Sequence, residues 1–125
     1  QIILDLTKTE EERIQAAFHL ENARDNKSIK ALIKGLMTDP SPIVRHEFAF
    51  SLGESASSSL AGKYLMKAVE EDENIFVRHE AILALATLGK PRFKKFINKY
   101  LNDPIPEMAE SAKIALQRIE DTCSE

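Results

Sequence analysis

The sequence predicts an all-α protein, an α-solenoid of about four stacked helical-hairpin repeats. The last apolar position of each repeat recurs as Leu20, Leu52, Leu85 and Leu116, at steps of 32, 33 and 31 residues. A period of this length is typical of stacked helical repeats. Apolar residues follow helical spacing within each repeat, and no segment alternates as a β-strand does. The five Pro and four Gly are also few for a turn-rich β protein.

The first predicted repeat covers residues 7–38 and contains two helices. Thr7 or Thr9 can cap the first helix, and the acidic run at residues 10–12 suits the positive end of the helix dipole. Ser28 is predicted to lead the second helix. The apolar positions of the two helices are Ala17 and Phe18, followed by Ile29, Leu32, Ile33 and Leu36.

The second and third predicted repeats cover residues 39–72 and 73–103. The sequence Asp-Pro-Ser-Pro at residues 39–42 ends one helix and starts the next, since Pro suits the first helical turn. Gly89, followed shortly by Pro, is typical of a helix C-terminus. Each of these repeats is predicted to have two helices. The apolar positions of the second repeat are Val44, Phe48, Ala49 and Leu52 on its first helix and Leu60, Tyr64, Leu65, Ala68 and Val69 on its second. Those of the third repeat are Val77, Ala81, Leu85 and Leu88 on its first helix and Phe93, Phe96, Ile97, Tyr100 and Leu101 on its second.

The fourth predicted repeat covers residues 104–122 and completes a single domain of residues 1–125. A second Asp-Pro-x-Pro sequence begins at Asp103, just before this repeat. Its apolar positions are Met108, Ala112, Leu116 and Ile119.

Composition favours one globular domain and argues against several classes of protein. Apolar residues make up 43% of the 125 residues, enough for a core, and the net charge of -3 offers no basic surface for nucleic acid. Cys123, the single cysteine, cannot form an internal disulfide. No stretch has the length of a membrane span or the pattern of a signal peptide. We therefore expect a cytoplasmic protein that binds neither nucleic acid nor a membrane.

Two His-Glu pairs depart from what repeat packing requires. His46-Glu47 and His79-Glu80 are 33 residues apart, at the same position of two successive repeats. The other two repeats carry Ile14-Gln15 and Glu110-Ser111 there, so packing does not require His-Glu. His is also a poor helix former. A single His-Glu pair is usually solvated helix surface, but recurrence at one position favours a shared site.

These pairs are predicted to form a metal site. Packed helix axes lie about 8–10 Å apart, so imidazole and carboxylate groups from neighbouring repeats can meet at one ion. We predict His46, Glu47, His79 and Glu80 as metal ligands. Glu47 and Glu80 are also the candidate catalytic residues, as ligands or as groups that hold water or substrate. Such mixed ligands suit Fe(II) or Mn(II), whereas a closed structural zinc site usually uses Cys.

The residues around the pairs resemble known families. The Asp-x-x-Pro-x-Val-Arg sequence within residues 39–49, matched in part at residues 74–84, resembles HEAT-like repeats of the phycobilin-lyase type. A sharper resemblance, over nearly the whole chain, is to the deoxyhypusine hydroxylase family. Residues 13–20 resemble its opening helix, and the residues around the two His-Glu pairs resemble its metal motifs. Residues 103–118 resemble the unit that closes one half of that enzyme.

This resemblance implies a non-haem iron monooxygenase. In that family the whole enzyme has two halves with four His-Glu pairs, which hold two irons and use dioxygen to hydroxylate a deoxyhypusine side chain on a translation factor. His46, Glu47, His79 and Glu80 would then supply half of an Fe(II) site, and the hypusine-bearing translation factor would be the protein substrate. Because the resemblance covers one half, a di-iron centre would need two halves or two copies. The chain would be a homodimer, a fragment or a divergent relative.

Two other functions stay open on the sequence. A HEAT-repeat scaffold would bind a protein or bilin-carrying partner without chemistry and without metal. In a metal-stabilised adaptor the ion would be structural: chelation would lower thermal stability strongly, and the protein would turn over no substrate. His19 lacks a recurring carboxylate partner, so we expect a packed or partly exposed side chain. The basic residues between positions 90 and 99 are expected to form a solvated face over Phe93 and Phe96.

Overall fold

The computed structural model describes residues 2–21, 25–55 and 59–123, and within these ranges the chain forms helices and loops without a β-strand. The predicted all-α class is therefore confirmed. None of these helices is long and apolar enough to cross a membrane. The α-helices are α1 (Glu10–Glu21), α2 (Asn26–Thr38), α3 (Pro42–Glu54), α4 (Ser59–Glu71), α5 (Ile75–Leu88), α6 (Lys94–Asn98) and α7 (Pro106–Cys123). Short 3-10 helices cover Ile2–Leu4 and Pro91–Phe93.

The helices stack in two layers, as expected for a solenoid of HEAT-like repeats. The first layer is the row α1, α3, α5 and α7, in which each helix packs against the next. The second layer follows beside it, with α2 against α3 and α4, α4 against α5, and α6 against α7. Each of the first three predicted repeats contains two α-helices, and the fourth contains α7. The repeat boundaries themselves stay a prediction.

The core lies between the two layers and along the first row. The predicted apolar positions of α3 and α5 are buried, whereas Leu20 on α1 and Leu116 on α7 are only partly buried. This difference follows from position, because α1 and α7 lie at the two ends of the row. The fully buried side chains of the inner helices include Val44, Phe48, Ala49, Leu52, Leu65, Val69, Val77, Ala81 and Leu85.

Helix ends agree with the sequence at α1 and differ from it at α2. Thr9 caps α1: its Oγ1 accepts from the Glu12 N–H at 3.1 Å, and its own N–H donates to Glu12 Oε1 at 3.0 Å. These reciprocal bonds form a capping box. Helix α2 begins at Asn26 rather than at Ser28. Asp25 is its cap, because the Asp25 carboxylate accepts from the Ser28 N–H at 2.7 Å.

The prediction of one helix running from Phe93 to Leu101 is wrong. Phe93 ends a 3-10 helix, α6 covers only Lys94–Asn98, and Tyr100 and Leu101 lie in turns. The Tyr100 N–H bonds to the Ile97 carbonyl at 2.9 Å. Tight bonds to the third preceding residue end an α-helix in this way.

Arginine–aspartate pairs connect α1 to the turn before α3 and α3 to the turn before α5, a feature that the sequence did not indicate. Arg13 Nε lies 2.8 Å from Asp39 Oδ2, and Arg45 Nε lies 2.9 Å from Asp72 Oδ2. Asp39 and Asp72 also accept the backbone N–H two residues further on, each at 2.9 Å. Each carboxylate therefore binds the preceding helix of the first layer and shapes the turn that leads into α3 or α5.

Candidate metal centre

The two His-Glu pairs lie at equivalent positions of neighbouring helices. Ser41 caps α3 by accepting the Val44 N–H at 3.4 Å, and Asn74 caps α5 by accepting the Val77 N–H at 3.2 Å. His46 follows Ser41 by the same number of residues as His79 follows Asn74. Because both helices start from the same kind of turn, the two pairs lie at the same distance from the N-terminus of their helices.

Helices α3 and α5 also approach each other very closely. A Cβ atom built on Gly53 of α3 would lie 2.9 Å from the Cα of Ala84 on α5. Any side chain at position 53 would therefore separate the two backbones. This close approach allows side chains of the His-Glu pairs to meet between the helices.

His46 lies between two carboxylates, one from each helix. Its Nδ1 is 3.4 Å from Glu47 Oε1, and its Nε2 is 3.2 Å from Glu80 Oε1. The side chains of His46 and Glu47 are about one third exposed, at 31% and 29%, and Glu80 is 16% exposed. The three groups therefore form a cluster that is open to solvent on one side.

His79 faces the next helix of the row. Its Nδ1 is hydrogen-bonded to the Oγ of Ser111 on α7. Ser111 is fully buried and donates to the Glu107 carbonyl at 2.5 Å. The ring of His79 is thus held at the contact between α5 and α7.

Burial and neighbouring charges change the ionisation of this cluster. Burial, together with the charges of His46 and Arg118, lowers the pKa of His79 below its ordinary value. Burial also raises the pKa of Glu80; Glu47 adds to this rise, while His46 and Arg118 oppose it. Neutral imidazole is the form that binds a metal, so the environment of His79 favours the form that a ligand needs.

The structure brings three of the four predicted residues into contact and places the fourth beside them. His46 contacts both Glu47 and Glu80, whereas His79 bonds to Ser111. Among the residues that the structure describes, no three His, Cys, Asp or Glu side chains are placed so that they could hold a metal ion. The donor set, two imidazoles and two carboxylates, is chemically suited to Fe(II) or Mn(II). The assignment of these residues as metal ligands therefore stays a prediction.

Sequence reasoning missed the roles of Ser111 and Arg118 at this site. Position 111 matches Glu47 and Glu80 in the repeat, so the signal that could have found it was its register. His46 contacts Glu80 of the next repeat, and His79 contacts Ser111 of the next repeat. The contact between repeats recurs, with a serine in place of a carboxylate.

Two other features match their expected roles away from this cluster. His19 is exposed on α1. Basic side chains cover aromatic rings near α6: the Arg92 guanidinium lies 5.0 Å from the Phe93 ring centre, and Lys99 Nζ lies 4.7 Å from that of Phe96. These contacts are typical of a solvated basic face over a core stripe.

The fold and the His-Glu cluster together define a HEAT-like helical-repeat protein with a candidate metal centre shared by two repeats. No protein-family model matches the chain. The sequence is 30% identical to deoxyhypusine hydroxylase of Gallus gallus over 118 residues, which is 94% of this chain and 39% of that protein. It is 34% identical to deoxyhypusine hydroxylase of Danio rerio over 110 residues, which is 86% of this chain and 35% of that protein.

A solved structure shows the same likeness in three dimensions. The structure of human deoxyhypusine hydroxylase in complex with glycerol matches 99% of this chain and 43% of that chain, with a TM-score of 0.92 and 27% sequence identity. The chain thus spans about two fifths of the length of the relatives it matches. It resembles one half of deoxyhypusine hydroxylase.

Proposed function

We propose that this chain acts as one half of a deoxyhypusine hydroxylase-like, non-haem iron monooxygenase. Its substrate would be a deoxyhypusine side chain on a translation factor. The observation that carries the proposal is the contact between the two His-Glu pairs through His46 and Glu80, where His46 Nε2 on α3 lies 3.2 Å from Glu80 Oε1 on α5. The similarity to relatives of that name supports the same function.

The four side chains would have two roles, metal binding and substrate binding. His46 and His79 would bind Fe(II) through imidazole nitrogen, and Glu47 and Glu80 would bind through carboxylate oxygen or hold the substrate amine. When bound, Fe(II) would supply the activation of dioxygen that hydroxylation requires. The carboxylates suit a cationic amine, because Glu47 and Glu80 lie on the partly exposed side of the cluster. A full di-iron centre would need a second half, for which a second copy of the chain is our candidate.

Metal uptake by histidine variants tests the proposal. Purified protein is loaded with Fe(II) without oxygen, and bound iron is measured beside helix content by circular dichroism. His46→Ala and His79→Ala should each abolish iron uptake and leave helix content nearly unchanged, because neither side chain is fully buried. Loaded wild-type protein should also hydroxylate a deoxyhypusine-bearing translation factor.

His19→Ala is the matched control, since it removes the third histidine from an exposed position on α1. This variant should bind as much iron as the wild-type protein. If His79→Ala keeps its full iron content, the proposed site is wrong.

A scaffold without chemistry is the second candidate function, and one observation favours it. His46 is already paired with Glu47 and Glu80, and His79 with Ser111, so these polar side chains have partners without an ion. A scaffold would bind a protein partner and no metal. Wild-type protein that takes up no Fe(II) and has no hydroxylase activity would favour this function over the enzyme.

A further inference from the structure

The hydroxyl of Ser111 has two neighbours that fix the direction of its hydrogen bonds. Its Oγ lies 2.5 Å from the Glu107 carbonyl oxygen and is also bonded to His79 Nδ1. A carbonyl oxygen can only accept, so the single hydroxyl proton of Ser111 goes to Glu107. The Oγ therefore accepts from His79, and His79 Nδ1 carries a proton.

A proton on Nδ1 leaves the lone pair of a neutral imidazole on Nε2. We infer that Ser111 is a positioning residue, which holds His79 in the Nδ1–H tautomer and so presents Nε2 as its metal-binding nitrogen. Partners that bond to the second nitrogen of a ligand histidine commonly fix its tautomer and ring orientation. The metal-binding part of this inference rests on the proposed function, whereas the tautomer does not.

The two histidines of the cluster differ in this respect. His46 has a carboxylate oxygen near each ring nitrogen, Glu47 at 3.4 Å and Glu80 at 3.2 Å. A carboxylate accepts from whichever nitrogen carries the proton, so these neighbours do not select one tautomer of His46. Ser111 lies at the same repeat position as Glu80, but its hydroxyl already donates its proton to the Glu107 carbonyl. Of these two histidines, only His79 therefore has its metal-binding nitrogen fixed in the metal-free protein.

Nitrogen-15 NMR of the metal-free protein tests the tautomer directly. At about pH 8, well above the ordinary His pKa of about 6.5, the ring nitrogen shifts distinguish Nδ1–H from Nε2–H. Wild-type His79 should be in the Nδ1–H form. Ser111→Ala should move His79 toward a mixture of the two tautomers and leave His46 unchanged. Ser111→Thr, which keeps the hydroxyl, should restore the wild-type signal.

Iron affinity provides the second measurement. Ser111→Ala should weaken Fe(II) binding about 10–100-fold, the usual effect of losing a partner behind a ligand. Ser51→Ala is the matched control, because Ser51 on α3 is also fully buried and its Oγ has no hydrogen-bond partner among the described residues. It should change neither the His79 tautomer nor the iron affinity.

The outcomes separate this inference from the proposed function. If wild-type protein binds iron but Ser111→Ala keeps the Nδ1–H tautomer and the full affinity, the positioning role of Ser111 is wrong and the proposed function stands. A wild-type His79 found as Nε2–H also overturns the inference. If wild-type protein binds no iron, the proposed function fails, and the role of Ser111 toward a metal fails with it.

Discussion

Asp39 is a single residue on which two repeats depend. Its carboxylate accepts Arg13 Nε at 2.8 Å and Nη2 at 3.2 Å from α1, and the Ser41 N–H at 2.9 Å at the start of α3. Arg13 and Asp39 are both buried, at 5% and 4% exposure. Removing one partner of such a pair leaves the other charge buried and unpaired, which costs far more than losing a surface ion pair.

Asp39→Ala should therefore lower the free energy of unfolding by about 3–5 kcal/mol, measured by urea denaturation. Glu70→Ala is the control, since it removes an exposed partner 3.9 Å from Lys99, and its effect should stay below about 1 kcal/mol. Equal losses in the two variants would contradict the importance of burial for the Arg13–Asp39 pair.

Ser51 and Ser55 are both fully buried serines near the end of α3, but only one of them has a partner. Ser55 Oγ donates to the Ser51 carbonyl at 2.5 Å, whereas Ser51 Oγ finds no partner in the described part of the chain. Ser51→Ala should leave the free energy of unfolding unchanged or raise it by up to about 1 kcal/mol, while Ser55→Ala should lower it by about 1 kcal/mol. Chemical denaturation of both variants checks this, and an equal loss in Ser51→Ala would mean that its hydroxyl is bonded.

At the residue scale, the sequence identified side chains whose chemistry is rare and recurs. His46 and His79 were found because a His-Glu pair occupies one register twice. Ser111 was not found, because serine is common and its register becomes informative only once His79 is seen to face it. The pairing of Arg45 with Asp72 was not predicted, since nothing local in the sequence indicates it.

Four aspartates form the same kind of turn shortly before the helices of the first layer, a regularity at the scale of elements. Asp5, Asp39, Asp72 and Asp103 each accept the backbone N–H two residues further on, at 2.9 Å in every case. Such local bonds of Asp side chains favour turns over helix. The sequence indicated two of these turns through the Pro after Asp39 and Asp103, and gave no comparable signal at the other two.

Helix α6 shows what apolar spacing cannot predict. The spacing of Phe93, Ile97 and Tyr100 is helical, and Phe93 and Ile97 are buried as expected. The backbone nevertheless tightens on both sides of α6, into a 3-10 helix before it and turns after it. Side-chain spacing indicates which residues face the core. It does not indicate which carbonyl accepts the hydrogen bond of each backbone N–H.

The close approach of α3 and α5 leads to a prediction that joins stability to the site. In Gly53→Ala the new Cβ would lie 2.9 Å from both the Cα and the Cβ of Ala84, so the α5 backbone must move. We expect a loss of about 1–3 kcal/mol in the free energy of unfolding, typical of overpacking. Weaker iron binding should accompany it, since the distance between α3 and α5 sets that between His46 and Glu80. Denaturation and iron titration measure the two effects.

Gly89→Ala is the control for this variant. Gly89 ends α5 with a φ of 71°, in the left-handed region that favours glycine, and alanine there should cost about 1–2 kcal/mol. The added Cβ meets its neighbours at ordinary distances, the first being Thr122 at 3.6 Å. Stability should fall in both variants, but iron affinity should fall only in Gly53→Ala; a similar fall in both would contradict the spacing argument.

At the scale of the whole molecule, the number of His-Glu pairs leads to a prediction about assembly. The two His-Glu pairs of this chain are half of the four pairs that the proposed di-iron centre would need. If a second copy supplies the other half, Fe(II) should convert the chain to a dimer that carries two irons. Sedimentation with and without Fe(II), combined with iron analysis, measures mass and stoichiometry together. An iron-loaded monomer would contradict assembly from two copies, and an iron-free monomer would favour the scaffold.

The arginine–aspartate pairs also lead to a prediction about where the row of helices opens first. Arg13 and Arg45 bind the aspartates that precede α3 and α5. Arg78 Nε instead donates to the Val69 carbonyl at 2.7 Å and forms no ion pair with Asp103, which precedes α7, in the described part of the chain. Stacked repeats open locally wherever their contacts with neighbours are weakest. Amide hydrogens of α7 should therefore exchange with solvent before those of α3 and α5. Helix α7 carries Ser111. Local opening of α7 would therefore break the bond between Ser111 and the His79 ring while the rest of the fold stays closed.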